Sequence, residues 1–343
     1  MSDTIDQTAG RAPASDDRST MRAAVYRRFG GPDVVRVERM PRPTPAAGEV
    51  LVRVHAASVS IADHRVRARD VPRGLKLPVA LALGMFRPKH PVLGMDAAGV
   101  VEAIGDGVTA FAPGDRVILL RGARFGCHAE YTTIAADGAI ARIPDELSFV
   151  EAAALVFGFA TAQVFLDAAG VGAGDAVLVN GASGAVGSAA VQLAHRRGAV
   201  VTAVTSGANA DLVRSLGADR IVDYTHEDFA ASGERYDAVV ECVGNSPFSR
   251  ARRVLRSGGA LLLVITDLPG LIGAKLRPVR GGIRRIETVE KVSGADLAEI
   301  ARAAGSGELR PVVDRVYDLD EIREAHRYVD TGRKRGNVIV RIG

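Results

Sequence analysis

At 343 residues the chain is too long for one ordinary core, and its 47% hydrophobic content gives two domains enough to bury, which excludes disorder as a whole. The formal net charge of +4 comes with no long basic run, no Trp and six Tyr, so a nucleic-acid partner is not expected. Cys127 and Cys242 lie in unrelated contexts and offer neither a disulfide framework nor a paired metal spacing, which leaves a reducing cytoplasm as the expected compartment.

Residues 1–20, rich in Asp, Ser, Thr and Ala, lack the apolar core of a secretory signal and the basic amphipathic character of a transit peptide, and are predicted to be a disordered tail. Residues 21–25 and 49–55 read as strands, separated by the breakers Pro41, Pro43, Pro45 and Gly48. The stretch 75–86, taken as the most apolar internal one, is interrupted by Lys76, Pro78 and Gly84 and is too short to span a bilayer. Strands are expected at 98–104 and 115–120, with turn signals at Gly105, Gly107, Pro113 and Gly114 between them. This half, 21–145, reads as a small β-rich barrel.

The texture changes near Pro144. Ser148 and Glu151 form a candidate capping box for a helix over 151–169. Strands at 176–180, 200–204, 221–222, 238–242 and 260–265 then alternate with helices at 187–197, 209–216 and 248–255. Parallel crossovers need helices, so 146–286 is predicted to be an α/β doubly wound parallel sheet of the Rossmann type. Helices at 294–304 and 320–330 and a strand at 337–341 follow.

The segment Gly181-Ala-Ser183-Gly184-Ala185-Val186-Gly187 sits between a buried strand and an apolar-faced helix. One glycine permits the tight turn, a second lets backbone N–H groups reach a pyrophosphate, and the third lets helix pack on strand, while the helix N-terminus attracts phosphate. With strand before, helix after and a second strand ending about 20 residues on, the motif predicts a bound dinucleotide. An NAD enzyme usually carries Asp or Glu at the end of that second strand, to hold the ribose 2′-hydroxyl. Here the sequence is Thr205-Ser206-Gly207-Ala208-Asn209, and the first acid is Asp211, already in the next helix. Ser206, Asn209, Arg214 and Tyr224 could instead donate to a 2′-phosphate, so NADP(H) is the expected cofactor; an exposed Arg214 and a half-buried strand-end Tyr224 are the plain alternatives.

Many ordered matches from Met21 onward resemble the medium-chain dehydrogenase/reductases, in the zinc-independent branch of quinone oxidoreductases and alkenal or enone reductases. The matches include Gly48-Glu-Val-Leu-Val-Arg-Val54, Pro91-Val-Leu-Gly-Met-Asp96, Gly114-Asp-Arg-Val117, Ala129-Glu-Tyr131, the glycine turn, Leu216-Gly-Ala-Asp219 and Gly336-Asn-Val-Ile-Val340. The resemblance implies a GroES-like barrel completed by about 287–343, an inserted Rossmann domain, an active site in the cleft between them, and a homodimer or tetramer. It also implies that Thr161 lies near the nicotinamide, with Val243, Thr266 and Asn337 as further cofactor contacts.

Zinc-using relatives begin a Cys-x-x-Asp segment with Cys, where this chain has Ser60-Ile-Ala-Asp63, and place His where this chain has Met95. Serine and methionine replace thiolate and imidazole poorly on Zn²⁺, so no metal is expected. Without a Lewis acid to polarise an alcohol, reduction of a quinone or an α,β-unsaturated carbonyl is the favoured chemistry. Ser60, Asp63 and His64 are implied at the cleft floor: Ser60 as a donor to substrate oxygen or as a backbone-satisfying hydroxyl, Asp63 as an orienting residue, and His64 as an acid or a surface histidine. The alternatives are a zinc-free alcohol or carbonyl dehydrogenase, and a non-catalytic NADPH-binding protein. The basic and apolar mixture of 64–91 and 268–285 reads as a lid for a bulky substrate, a solvated basic face, or a loose contact with an anionic membrane.

Overall fold

The computed structural model describes residues 19–70, 80–81, 83–264, 282–287 and 291–343. The tail expected over 1–20 lies outside the described residues up to residue 18, as do Thr266 and most of 268–285.

In chain order the elements are β1 (Thr20–Tyr26), β2 (Val35–Pro41), β3 (Glu49–Val59), α1 (Ile61–Ala68), β4 (Asp96–Ile104), β5 (Arg116–Leu120), β6 (Tyr131–Ala135) and β7 (Ile140–Arg142). After them come α2 (Phe149–Ala169), β8 (Ala176–Asn180), α3 (Ala185–Arg196), β9 (Val200–Thr205), α4 (Ala210–Ser215), β10 (Arg220–Asp223), β11 (Tyr236–Glu241), α5 (Phe248–Ala251), β12 (Leu255–Leu263) and β13 (Arg284–Ile286). The chain closes with α6 (Gly294–Gly305), β14 (Val313–Asp318), α7 (Ile322–Asp330) and β15 (Asn337–Arg341).

The first layer is a seven-stranded sheet in the order β14-β15-β3-β4-β5-β7, with β6 also paired to β3. Its long strand β3 explains how one strand serves two cores. Val50, Val52 and Val54 point into the barrel, the register shifts between Val54 and Ala56, and Ala57 and Val59 then take over the inward face. A bulge of this kind reverses the alternation, and Ala56 joins the other core, beneath α2. The expected strand 49–55 stops where this reversal begins. Strand β15 pairs antiparallel with the same stretch, Val338 opposite Val59, and so brings the C-terminal segment into the barrel sheet.

The second sheet is parallel throughout, in the order β10-β9-β8-β11-β12-β13. This is the doubly wound arrangement expected from the strand and helix alternation, and its order reverses between β8 and β11, where such sheets bind ligands. Helix α2, not 75–86, is the longest strongly apolar stretch; it is long and apolar enough to cross a membrane by composition, yet most of it is buried between the two sheets. Its capping box forms as expected, with Ser148 and Glu151 each satisfying the other's backbone N–H.

Several boundaries differ from expectation, two of them for visible reasons. The helix expected over 248–255 ends at Ala251, because β12 starts at Leu255 and runs through Gly258 and Gly259. The backbone at Gly258 is left-handed (φ +79), and a Cβ on Gly259 would lie 2.9 Å from the Asp237 carbonyl oxygen. The helix expected over 320–330 begins as a 3₁₀ turn, Leu319–Glu321, before becoming α-helical. Strands β2, β6, β7, β13 and β14 were not anticipated; all are short or lie between proline and glycine breakers.

Candidate functional site

The glycine turn lies at the reversal point of the parallel sheet, and its three glycines divide the work. Gly181 adopts φ +82, and a Cβ there would come within 2.7 Å of a Val243 methyl. At Gly187 a Cβ would lie 2.1 Å from the Gly181 carbonyl oxygen, so this glycine lets α3 press against β8. Gly184 has an ordinary φ of −80° and meets nothing nearer than 3.5 Å. Neither conformation nor packing within the protein requires glycine at 184. Gly184 is also the N-cap of α3 and supplies no side-chain cap. The helix begins at Ala185, two residues earlier than expected from sequence. The N–H groups of Ala185, Val186 and Gly187 are therefore the first-turn donors available to an anion.

Around this turn the second strand delivers a polar cluster. The Asn209 side-chain amide donates to the Ser183 and Ser206 hydroxyls, both at 3.2 Å, which ties the glycine turn to the end of β9. The Thr205 hydroxyl is buried with no hydrogen-bond partner among the described residues. Tyr224 is 63% exposed and held by its backbone N–H to the Thr205 carbonyl. Arg214 points into solvent and pairs with Asp211 at 2.8 Å, so its charge is partly spent.

An acid absent from the linear reading appears here in space. Asp223, at the end of β10, stands against Gly207, where a Cβ would lie 2.6 Å from its carboxylate. It accepts from the Thr225 hydroxyl at 2.7 Å, the Thr225 N–H at 3.0 Å and the Gly207 N–H, and these donors, led by the Thr225 hydroxyl, hold its carboxyl below the usual carboxylate range. The sequence could reveal it only to a reader who paired β10 with β9, since Asp223 faces Thr205 across that ladder.

The other wall of the switch point is set by Glu241, which is buried. Its carboxylate accepts from the N–H groups of Val243 and Gly244 at 2.7 and 2.8 Å and from the Asn180 side chain at 2.8 Å. This network fixes the loop that carries Val243. Asn180 and Glu241 escaped the sequence reading because a polar residue at the last position of an apolar strand looks like a strand end. Asn337 is buried, and its amide donates to the carbonyls of Ala154 (2.9 Å) and Val312 (3.2 Å), so its donors hold the backbone beneath the turn. Next to it the Gly336 N–H donates to the Ser183 carbonyl at 2.8 Å, and the Lys334 ammonium donates to the Gly336 carbonyl at 2.7 Å. Burial lowers the Lys334 ammonium to about 8. Lys334 is thus a cation beside the glycine turn that no sequence motif singled out. Thr161, half-buried in α2, lies one turn beyond Gly158, where a Cβ would come within 2.6 Å of the Ala185 carbonyl. Gly158 therefore lets α2 cross the start of α3.

The cleft-floor candidates are engaged with one another and with the fold. Ser60 is the N-cap of α1, and Ser60 and Asp63 form a reciprocal capping box. The Ser60 hydroxyl donates to Asp63 at 2.7 Å, and the other Asp63 oxygen accepts from the Gly94 N–H at 2.8 Å. His64 is bound on both ring nitrogens, at 2.7 Å to Asp330 on α7 and 3.4 Å to Asp70. Both Asp330 oxygens also accept from one terminal nitrogen, Nη2, of the fully buried Arg67, at 2.6 and 2.7 Å. The structure thus brings Ser60 and Asp63 together as a cap, and ties His64 into a brace between α1 and α7. Beside them Asp96, also buried, accepts from the Ser58 hydroxyl at 2.8 Å and N–H at 3.0 Å, and burial raises its carboxyl to about 7 despite those bonds.

Of the cations in 64–91, Arg67 is bound inside, the Arg69 guanidinium donates to the Gly84 and Met85 carbonyls, and Lys89 donates to the Leu81 carbonyl at 2.7 Å. In the second loop Arg284 caps the end of α2 through the Ala169 carbonyl at 2.6 Å, and Arg285 stacks on Phe248. Arg73, Lys76, Lys275, Arg277 and Arg280 lie outside the described residues; among the described cations of the two loops, Arg67, Arg69, Lys89, Arg284 and Arg285 are engaged by the fold.

Residues 46–145 match the family of alcohol dehydrogenase GroES-like domains, and residues 216–340 match the zinc-binding dehydrogenase family. The chain is 33% identical over 338 residues to a 2-methylene-furan-3-one reductase of Solanum lycopersicum, covering 94% of this chain and 79% of that protein. It is 32% identical over 336 residues to the chloroplastic NADPH-dependent alkenal/one oxidoreductase of Arabidopsis thaliana, covering 93% of this chain and 79% of that one. Among solved structures the quinone oxidoreductase from Coxiella burnetii superposes with a TM-score of 0.84 at 29% identity, covering 94% of this chain and 100% of that one. With both sheets, the glycine turn and the near full-length matches in agreement, the chain belongs to the medium-chain dehydrogenase/reductase superfamily, on its quinone and enone reductase branch.

Proposed function

We propose that this oxidoreductase works with NADPH and without zinc, and reduces a quinone or the C=C bond of an α,β-unsaturated carbonyl. A nicotinamide dinucleotide supplies hydride when bound, and the observation that supports its site is Gly184, a glycine that neither packing nor φ requires, at the N-cap of a helix that has no side-chain cap. Ser206 and Tyr224 support the 2′-phosphate form, since they offer hydroxyl donors near the end of β9, with Asn209 orienting Ser206 through its amide. The charge of Asp223 is already held by the Thr225 and Gly207 donors.

The donor set supports a metal-free reaction. Ser60 stands at the N-cap of α1 with its hydroxyl given to Asp63, Met95 replaces a nitrogen ligand, and among the described residues no three His, Cys, Asp or Glu side chains converge. The work of the chain is then to orient the acceptor and exclude water between the two sheets. The test is consumption of NADPH and NADH, side by side, with a panel of quinones, enones, aldehydes and ketones, before and after chelator treatment. Quinone or enone turnover with NADPH, unaffected by the chelator, is expected. Turnover of aldehydes alone, equal use of NADH, or loss on chelation would each overturn the corresponding part of the reading.

A further inference from the structure

Among the described residues the exposed large hydrophobics are scattered singly, with one exception. Leu81, Met85 and Phe86 are 57%, 44% and 85% exposed and lie within six positions of one another. A loose loop would fold such a ring away, but this turn is built to present it. Gly84 is buried at φ +111, and a Cβ there would fall 2.0 Å from the Arg87 carbonyl oxygen. The Lys89 N–H closes the turn on the Leu83 carbonyl at 2.9 Å, and the Arg69 guanidinium grips the Gly84 and Met85 carbonyls while stacking 3.6 Å over Phe29. The backbone is pinned from inside, and Phe86 stands outward.

Beside this ring runs a groove of about 500 Å³, floored by Val25 and Val34 and edged by Phe86, Arg28, Arg36 and Arg87. Its acids are already paired: Glu38 with Arg27 at 2.6 Å and Asp33 with Arg327 at 2.5 Å. Arg28, Arg36 and Arg87 are exposed and carry no ion pair among the described residues. An apolar wedge flanked by free guanidinium groups matches the boundary of an anionic bilayer, where acyl chains take the ring and phosphates take the cations. We propose that this face docks the protein peripherally on anionic phospholipid, with Met85 and Phe86 inserted and Arg28, Arg36 and Arg87 on the headgroups. No turnover is involved, so the proposal stands or falls apart from the reductase reading.

The experiment is co-sedimentation of the full chain with phosphatidylcholine vesicles that contain or lack phosphatidylserine, at low and high salt, without substrate. Association is expected with the phosphatidylserine vesicles only, and it is expected to be released by salt. Each cation near such a surface strengthens association roughly fivefold, so the triple variant R28Q/R36Q/R87Q should bind about 100-fold more weakly. Phe86→Ser should lose about tenfold by removing the buried ring. Both variants alter exposed side chains, and unchanged melting curves would establish that they fold. No association at low salt, or equal association with vesicles of phosphatidylcholine alone, overturns the proposal. So does a change in sedimentation mass in Phe86→Ser, which would mean that a second copy covers the patch. A raised KM for a soluble enone in that variant, without vesicles, would place Phe86 in the cleft and overturn it as well.

Discussion

The glycine turn and the segment Ser60–His64 use polar groups in opposite ways. On the turn, the first N–H groups of α3 have no cap from Gly184, and the Thr205 hydroxyl has no partner among the described residues. On the floor, the Ser60 hydroxyl, both Asp63 oxygens and both His64 nitrogens are bound to other protein groups. Buried polar groups seek partners, and the unpartnered groups beside the glycine turn stand in contrast to the engaged ones at Ser60–His64. Ser60, Asp63 and His64 are held by the protein's own hydrogen bonds.

The largest expected effect separates two glycines of one motif. Gly187→Ala would drive a methyl group to 2.1 Å from the Gly181 carbonyl, forcing α3 off β8. Overpacking of that kind destabilises by about 1–3 kcal/mol, and the displaced helix end should also lose its dinucleotide. Gly184→Ala meets nothing closer than 3.5 Å and should leave the melting temperature unchanged. Its NADPH affinity should still fall at least about tenfold, through the loss of close backbone approach. Thermal melts with cofactor titration by fluorescence check both. If Gly184→Ala binds normally, the turn is not the phosphate cradle.

On the floor the expectation is reversed. Asp63→Ala strips the acceptor from the Ser60 and Gly94 N–H groups, both in buried surroundings. Each orphaned donor costs about 1–3 kcal/mol, so stability should drop while the NADPH dissociation constant stays near its original value. Asp63→Asn keeps a carbonyl acceptor and should recover part of the loss. A variant that melts normally but turns over slowly would return Asp63 to the chemistry.

These contrasts also explain what was legible in the sequence. The glycine turn, its flanking strand and helix, and the capping box of Ser148 are local: a few adjacent residues carry both the signal and its physical cause. The parallel sheet followed from the alternation of elements for the same reason. Strand β14 and the phase reversal in β3 depend on which strands pair, and pairing across the chain leaves no local trace. Asp223 and Glu241 were missed on that account, since each acts at a neighbouring strand's end. The surroundings of His64 were hidden for another reason. A histidine beside arginines looks available, and only the arrival of Asp330 from α7, far along the chain, occupies it.

A smaller effect concerns the brace between α1 and α7. His326 is fully buried on α7 beside His128, Arg67 and His64, with Asp330 shared by the last two and neither of its own ring nitrogens partnered among the described residues. Burial first, and then the neighbouring cations, holds its pKa well below the ordinary 6.5. As pH falls through 6.5 the unfolded chain takes up a proton at this position while the folded chain does not, so the stability present above that pH is lost toward acid. His326→Phe removes the difference, and its acid unfolding midpoint, followed by circular dichroism, should lie at lower pH than that of the parent. A midpoint that does not move would assign the acid sensitivity elsewhere.

The smallest expected effect is the most direct measure of cofactor choice. Asp223 stands against Gly207, within the polar cluster that would meet the ribose, and a carboxylate there opposes a 2′-phosphate even when its hydrogen bonds are satisfied. Screened by solvent and by the Thr225 and Gly207 donors, the repulsion should be modest. Asp223→Asn keeps an acceptor for Thr225 and removes the charge, so the ratio of kcat/KM with NADPH to that with NADH should rise roughly fivefold, most of it in the KM for NADPH. If the ratio falls instead, Asp223 holds the ribose hydroxyls, and the acid missing from the end of β9 has been supplied by β10.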